Sequence, residues 1–311
     1  MTTAAPLDTL GTVDDFLGAR EGRFFGEGFK RVHHSLTDLT IDAGGITATA
    51  GLEIPGAWSR KGDSTQRPHL STIDVMIYGA RLAGLHAAHT RGLGPGAPFA
   101  VRSLTIKAGN KPQEDGLDTF PVSGRLLDTA DDGTTTMECR VGLLTVRVET
   151  AAGTGRAEAA GSTPGTASHP SADALPGPWN DAPFGVPHRD RRQLLTSVEV
   201  LPDSSLARAD LTLDPDGPAT MIDLFVAALQ LGQVLLYTLD GVARADSNTL
   251  WMRRTTIGPA PQGAPADGRF EVGLREPQLL RSAQGTWRSA QVVADHAGLR
   301  LSCSVAHLLP A

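Results

Sequence analysis

The chain has 311 residues, with 28 Lys+Arg against 34 Asp+Glu, a formal charge of −6, and 40% hydrophobic residues. That balance belongs to a folded chain rather than a disordered one, and it argues against a nucleic-acid partner, which calls for a basic face. A single hydrophobic core stops growing near roughly 250–300 residues, so two domains or a duplicated unit are expected.

The first distinctive stretch is Leu17–Phe29, LGAREGRFFGEGF. It reads as an N-terminal arm whose Phe24, Phe25 and Phe29 plug a core, or as a lid that turns Arg23 and Glu27 toward a ligand. From Ser71 to Thr90 the apolar residues Ile73, Ile77, Ala80 and Leu85 recur near the helical period, and Gly92 is a natural C-cap. Strand-like segments follow at Phe99–Ala108, Phe120–Leu127 and Met137–Val148.

Residues 151–187 then turn to Ala, Gly, Pro, Ser and Thr without periodicity. Such a segment buries too little apolar surface to offset its chain entropy. It is read as a linker, with Trp179 and Phe184 docking its far end. A second helix is expected over Ala219–Leu239, stopped by Gly241. It is apolar nearly all round, and its Asp223, Gln230 and Gln233 favour a helix wrapped by protein over a membrane span. Strands at Leu250–Ile257, Arg269–Leu274 and Leu299–His307 complete the chain.

The two halves thus look alike: residues 1–150 with the arm, and residues 188–311, joined by 151–187. Asp74 and Asp223 lie 149 positions apart, and the same offset sets Trp251 opposite Arg102. Cys139 (MECRV) and Cys303 (LSCSV) fall at similar points, read as the last strand of each half. The expected fold is α+β: one long helix packed in a curved antiparallel sheet, twice, a double hotdog in one chain. The two cysteines leave no disulfide scaffold and no Cys-rich zinc site. The N-terminal segment has no basic, apolar leader, so a cytoplasmic protein is expected.

Three groups of residues carry chemistry. The first is Pro68-His69-Leu70-Ser71-Thr72-Ile73-Asp74, opening the first helix, with Gly217-Pro218-Ala219-Thr220-Met221-Ile222-Asp223 opening the second. An Asp in the first turn complements the helix dipole, and Ser71 or Thr72 serves as a cap. At the same place, unpaired amides would polarise a thioester carbonyl and the carboxylate would act as a base. Asp74, Asp223 and His69 are therefore the candidate catalytic residues, with Ser71 and Thr72 beside them. The second group is Arg23 and Glu27 on the arm, with Gln230 as a polar group in the apolar helix. The third is Arg102, with Arg253 and Arg254 on the equivalent strand. These lie on solvated sheet faces or, if turned inward, hold a phosphate. His86 and His89 are helix neighbours without an evident third ligand, so no metal is expected.

The Arg23–Lys30 segment RFFGEGFK and Pro68–Asp74, PHLSTID, resemble the avirulence protein D family. The resemblance spans both halves. That family is linked to syringolide-type signals and is similar to the double-hotdog enzymes that begin γ-butyrolactone synthesis. The resemblance implies transfer of a β-ketoacyl group from a thioester, on coenzyme A or a carrier protein, to a hydroxyl of a small ketose or ketose phosphate. An aldol-type closure to a butenolide follows. It implies no cofactor, no nucleic acid and no membrane, and a monomer or homodimer. His69–Asp74 is also similar to the HPxxxD spacing of polyketide dehydratases, except that Leu70 stands where a Pro is expected. A hotdog dehydratase or thioesterase, and a non-catalytic binder of a lipidic signal, are the alternatives.

Overall fold

Each half of the chain builds a hairpin, then a long helix, then four strands. The computed structural model describes residues 10–94, 96–153, 164–175, 187–261 and 268–310. The first elements are β1 (Leu10–Thr12), α1 (Val13–Leu17), β2 (His33–Asp42), β3 (Gly45–Glu53), β4 (Arg60–Lys61) and β5 (Ser64–Thr65). Then come α2 (Thr72–Arg91), β6 (Phe99–Lys107), β7 (Phe120–Thr129), β8 (Thr135–Val141), β9 (Leu144–Ala152) and β10 (Ala167–Ser171). The last are β11 (Arg192–Leu201), β12 (Leu206–Asp214), α3 (Met221–Asp240), β13 (Trp251–Pro259), β14 (Phe270–Ser282), β15 (Gly285–His296) and β16 (Leu299–Leu308).

These form two compact units. Unit A is Val32–Pro55 with Pro68–Arg189; unit B is Met1–Arg31, Gly56–Arg67 and Asp190–Ala311. In unit A the strands run β6-β9-β8-β7-β3-β2-β10, and in unit B they run β13-β16-β15-β14-β12-β11-β1. All pairings are antiparallel, and α2 and α3 each pack against the concave side of their own sheet. This is the hotdog arrangement twice over, an α+β double hotdog.

The helices begin and end as their sequences dictate. Ser71 and Thr220 sit in extended conformation as N-caps, and each accepts the N–H of the Asp three residues on. Gly92 and Gly241 close the helices in left-handed conformation (φ 65° and 63°), which only glycine adopts without cost. By length and composition α3 would pass as a membrane span, yet 83% of its most apolar window is buried in the fold. Its apolar circumference is what a helix wrapped by a sheet needs.

The duplication is tighter than the sequence alone reveals, and it follows different offsets. The first hairpin strands carry the same bulge, Thr37–Thr40 in β2 and Thr196–Glu199 in β11, with Asp38 and Ser197 both at positive φ (52° and 51°). That pairing is 159 positions apart, whereas β3 and β12 begin 161 apart and α2 and α3 begin 149 apart. The twelve-residue difference equals the length of Gly56–Arg67, the insert that unit B takes as its own.

Three expectations change here. The offset of 149 does not continue past the helices: the bulges Val101/Ser103 in β6 and Met252/Arg254 in β13 are 151 apart. Arg102 therefore corresponds to Arg253, not Trp251, because the turn after α3 is two residues longer. Cys139 lies in β8, the penultimate strand, whereas Cys303 lies in β16, the last; the run Met137–Val148 is two strands joined by a turn at Gly142. The division at 150 also shifts. The arm packs in unit B with the C-terminal half, and residues 167–171 of the expected linker pair with β2. Trp179 and Phe184 lie outside the described residues.

Candidate active site

The strongest chemical arrangement is built at the N-terminus of α2. Asp74 is the third residue of that helix and is 2% exposed. Its Oδ2 accepts from the Ser71 N–H at 2.8 Å and the Ser71 hydroxyl at 2.7 Å. Its Oδ1 faces His34 Nε2 at 2.8 Å. A carboxylate only accepts, so Nε2 carries the proton and the imidazole is fixed as one tautomer. His34 Nδ1 has no hydrogen-bond partner among the described residues and is not one of the sealed unpartnered atoms. That nitrogen is left to receive a proton.

The histidine is held from several sides. Arg81 Nη1, one helical turn or two further along α2, donates to the His34 carbonyl at 3.1 Å. The Tyr78 ring meets the imidazole edge-on at 5.3 Å, and the Tyr78 hydroxyl donates to the Gly51 carbonyl at 2.6 Å. Burial, reinforced by the Asp74 charge, pushes the Tyr78 hydroxyl far above its usual range, so it stays neutral.

Unit B repeats this construction with one change. Asp223 Oδ2 accepts from the Thr220 N–H at 2.9 Å and hydroxyl at 2.8 Å. Its Oδ1 accepts from Gln193 Nε2 at 2.7 Å. Gln193 stands in β11 where His34 stands in β2, 159 positions earlier. Arg191 Nε lies 3.7 Å from the same carboxylate. An amide exchanges no proton near neutral pH, so the copy in unit B has the orienting carboxylate without a base.

The other candidates distribute as follows. His69 is half-buried two residues before the cap of α2, and the imidazole against Asp74 is that of His34. Ser71 is spent on the capping box, and Thr72 is the buried first residue of α2. Arg23 and Gln230 meet: Arg23 Nη1 donates to Gln230 Oε1 at 2.8 Å, while Arg23 also pairs with Asp14. Gln230 is 1% exposed, and its Nε2 has no partner among the described residues. Glu27 pairs with Lys30 and Arg20.

The arm is a plug, not a lid: Phe24, Phe25 and Phe29 are buried, Phe25 against Phe225 at 5.7 Å and Phe24 against Trp58 at 4.4 Å. Arg102, Arg253 and Arg254 are exposed, not turned toward the helix, because the bulges in β6 and β13 fall at these positions. His86 and His89 hydrogen-bond to the carbonyls of Ala43 and Gly165 separately. Burial pushes the Cys139 and Cys303 thiols up to about 12, which removes them as nucleophiles.

His34 was missed as a site residue, though a signal existed. Leu36 is the first buried apolar residue of β2, and counting back two along the pleat puts His34 on the same face. The same count from Leu195 gives Gln193.

Against known proteins, the family described as Pseudomonas avirulence D protein matches residues 8–310. No curated protein matches the chain. Among solved structures, a tesB protein of Mycobacterium avium subspecies paratuberculosis shares 12% identity, covering 86% of this chain and 94% of its own, with a TM-score of 0.38. A hot dog protein of unknown function from Alicyclobacillus acidocaldarius shares 12%, covering 88% and 96%, with a TM-score of 0.40. A bifunctional dehydratase-cyclase domain of ambruticin biosynthesis shares 16%, covering 86% and 92%, with a TM-score of 0.35.

Proposed function

The chain belongs to the avirulence D protein family, and on that premise we propose that it is a condensing enzyme acting on an acyl thioester, with its base in unit A. The substrate pair is a β-ketoacyl thioester and a small ketose or ketose phosphate, and the product is a butenolide. The observation that carries this reading is the buried His34–Asp74 pair, set against Gln193–Asp223 at the equivalent point.

The chemistry follows from the geometry. His34 Nδ1 takes the proton of a ketose hydroxyl. The oxygen attacks the thioester carbonyl, the C–S bond breaks, and the thiolate leaves with the proton returned by the imidazolium. In a second use of the same base, the acidic α-carbon between the two carbonyls gives up a proton to Nδ1. The carbanion closes on the ketose carbonyl, the new alkoxide takes the proton, and water is lost to form the ring. Asp74 orients the imidazole and stabilises its cation, as an orienting carboxylate does in hydrolases, and it does not itself shuttle protons. This places the base one residue away from the sequence expectation, in which Asp74 or Asp223 took that role.

The test uses the substitution the molecule already contains. His34→Gln copies unit B, so it should fold normally by circular dichroism. It should lose roughly 10²–10⁴-fold in turnover of a short β-ketoacyl thioester with xylulose, with or without a 5-phosphate, read by product mass. Full activity in this variant would overturn the assignment. Release of free β-keto acid by the native protein, independent of any ketose, would make the enzyme a thioesterase using the same pair on water.

A further inference from the structure

Unit B holds a cavity of about 640 Å³ that the His34–Asp74 pair does not use. It is lined by Phe16 of α1, by Arg60 and Asp63 of the insert, by Arg244 just beyond α3, and by Asp15. A small metabolite fits such a volume. Several glycines and alanines line the rest, so main-chain groups approach the space closely.

The charges around it do not balance. Among the described residues, neither Arg60 nor Arg244 has a carboxylate within ion-pair distance. Arg244 is half-buried, and burial lowers its pKa. Beside it lies Lys61, whose Nζ donates to the Ser247 carbonyl and hydroxyl at 3.1 Å each, all neutral acceptors. Burial and the Arg244 charge pull the Lys61 ammonium down to about 8. Burial likewise pulls Arg23, which also feels Arg244, down to about 10 even though Asp14 pairs with it. Of the acids in the lining, Asp15 is bound to the Thr12 N–H and hydroxyl, and Asp63 is exposed at the β4–β5 turn. Unpaired cations gathered at a cavity are held at a cost to the fold unless an anion joins them.

We propose that this cavity binds a phosphate monoester on a hydroxylated carbon skeleton, with Arg244 and Arg60 on the phosphate and Asp63 accepting from hydroxyls. Guanidinium groups match phosphate oxygens in pairs, and a carboxylate is the natural acceptor for a sugar hydroxyl. Phe16 offers a face to the carbon skeleton. The site stands on the cavity alone; only the identification of the ester as a partner in the condensation rests on the proposed function. Two sources share this chemistry, a ketose phosphate and the 3′-phosphate of coenzyme A.

The experiment is titration calorimetry of the full chain with xylulose 5-phosphate, xylulose, inorganic phosphate and coenzyme A, on the native protein, Arg244→Gln and Arg60→Gln/Arg244→Gln. One phosphorylated probe should bind in the native protein, and each lost guanidinium should weaken it about tenfold or more. Xylulose 5-phosphate binding without coenzyme A binding assigns the sugar ester, and the reverse assigns the thiol carrier. Arg244→Gln should leave the melting temperature unchanged or raise it, since it relieves repulsion on Lys61; a structural arginine would lower it. His34→Gln should bind the probe as the native chain does, which separates this site from the reaction. No binding of any phosphorylated probe at millimolar concentration, or equal binding by the double variant, overturns the proposal.

Discussion

Unit A closes the start of its helix on a histidine, and unit B closes the same point on a glutamine. Everything else at that corner is shared: an N-cap hydroxyl, an Asp three residues on, and a strand residue whose side chain reaches Oδ1 of that Asp. The Asp is therefore explained by architecture in both copies, since a capping box and the helix dipole each favour it. What distinguishes them chemically is the strand partner. A duplicated fold keeps the frame in both halves and needs the base in only one.

The two aspartates give the sharpest way to break this comparison. Asp74→Asn and Asp223→Asn should each cost about 1 kcal/mol of stability through the cap, measured by denaturant unfolding. Only Asp74→Asn should lose activity, by roughly a hundredfold or more, because an amide no longer selects the tautomer with Nδ1 free. Equal losses of activity in both variants would place catalysis in both units or in neither.

The units also differ in what stops up their cores. Unit B has the phenylalanine arm, in which Gly26 packs on the main chain: a Cβ there would lie 2.1 Å from the Arg20 carbonyl oxygen. Gly26→Ala should destabilise unit B by about 1–3 kcal/mol, seen as an earlier unfolding step, because backbone rather than a flexible side chain must give way. A smaller effect attends Gln193→Ala, which withdraws one donor from the buried Asp223. It should cost ~1–3 kcal/mol of stability and leave turnover intact.

Much of this architecture was legible in the residues. Helical periodicity and the glycine stops located both helices to within a residue or two, and the PHLSTID segment pointed to the helix start where the carboxylate sits. The rest was hidden for physical reasons. His34 lies forty positions from Asp74, and only sheet curvature over the helix joins them. The offset of 149 suggested an ungapped repeat because the helices match, while the insert and the bulges are shifts that a count from one anchor misses. The arm's destination was invisible because its phenylalanines suit any core, and Arg102, Arg253 and Arg254 were offered as inward because alternation alone does not reveal a bulge.

The opposite ends of the two helices differ as well, and there the expected effect depends on pH. At the position where α2 ends on Arg91, whose guanidinium donates to the carbonyls of Ala152 and Gly133, α3 ends on Asp240. A cation suits the negative end of the helix dipole and an anion does not. Burial also pushes the Asp240 carboxyl up, but hydrogen bonds from His307 Nε2 at 2.9 Å and Arg288 Nε at 2.8 Å, with the charge of Arg288, outweigh it and hold the pKa below 3.8. A carboxyl with a depressed folded pKa contributes stability that is fully present above its unfolded value near 4 and is lost as pH falls through the folded value. The native protein should therefore exceed Asp240→Asn in unfolding free energy at pH 7, and the gap should narrow as pH drops below about 4. A gap independent of pH would mean that the pair's contribution is packing of the Asp240–His307–Arg288 cluster rather than its charge.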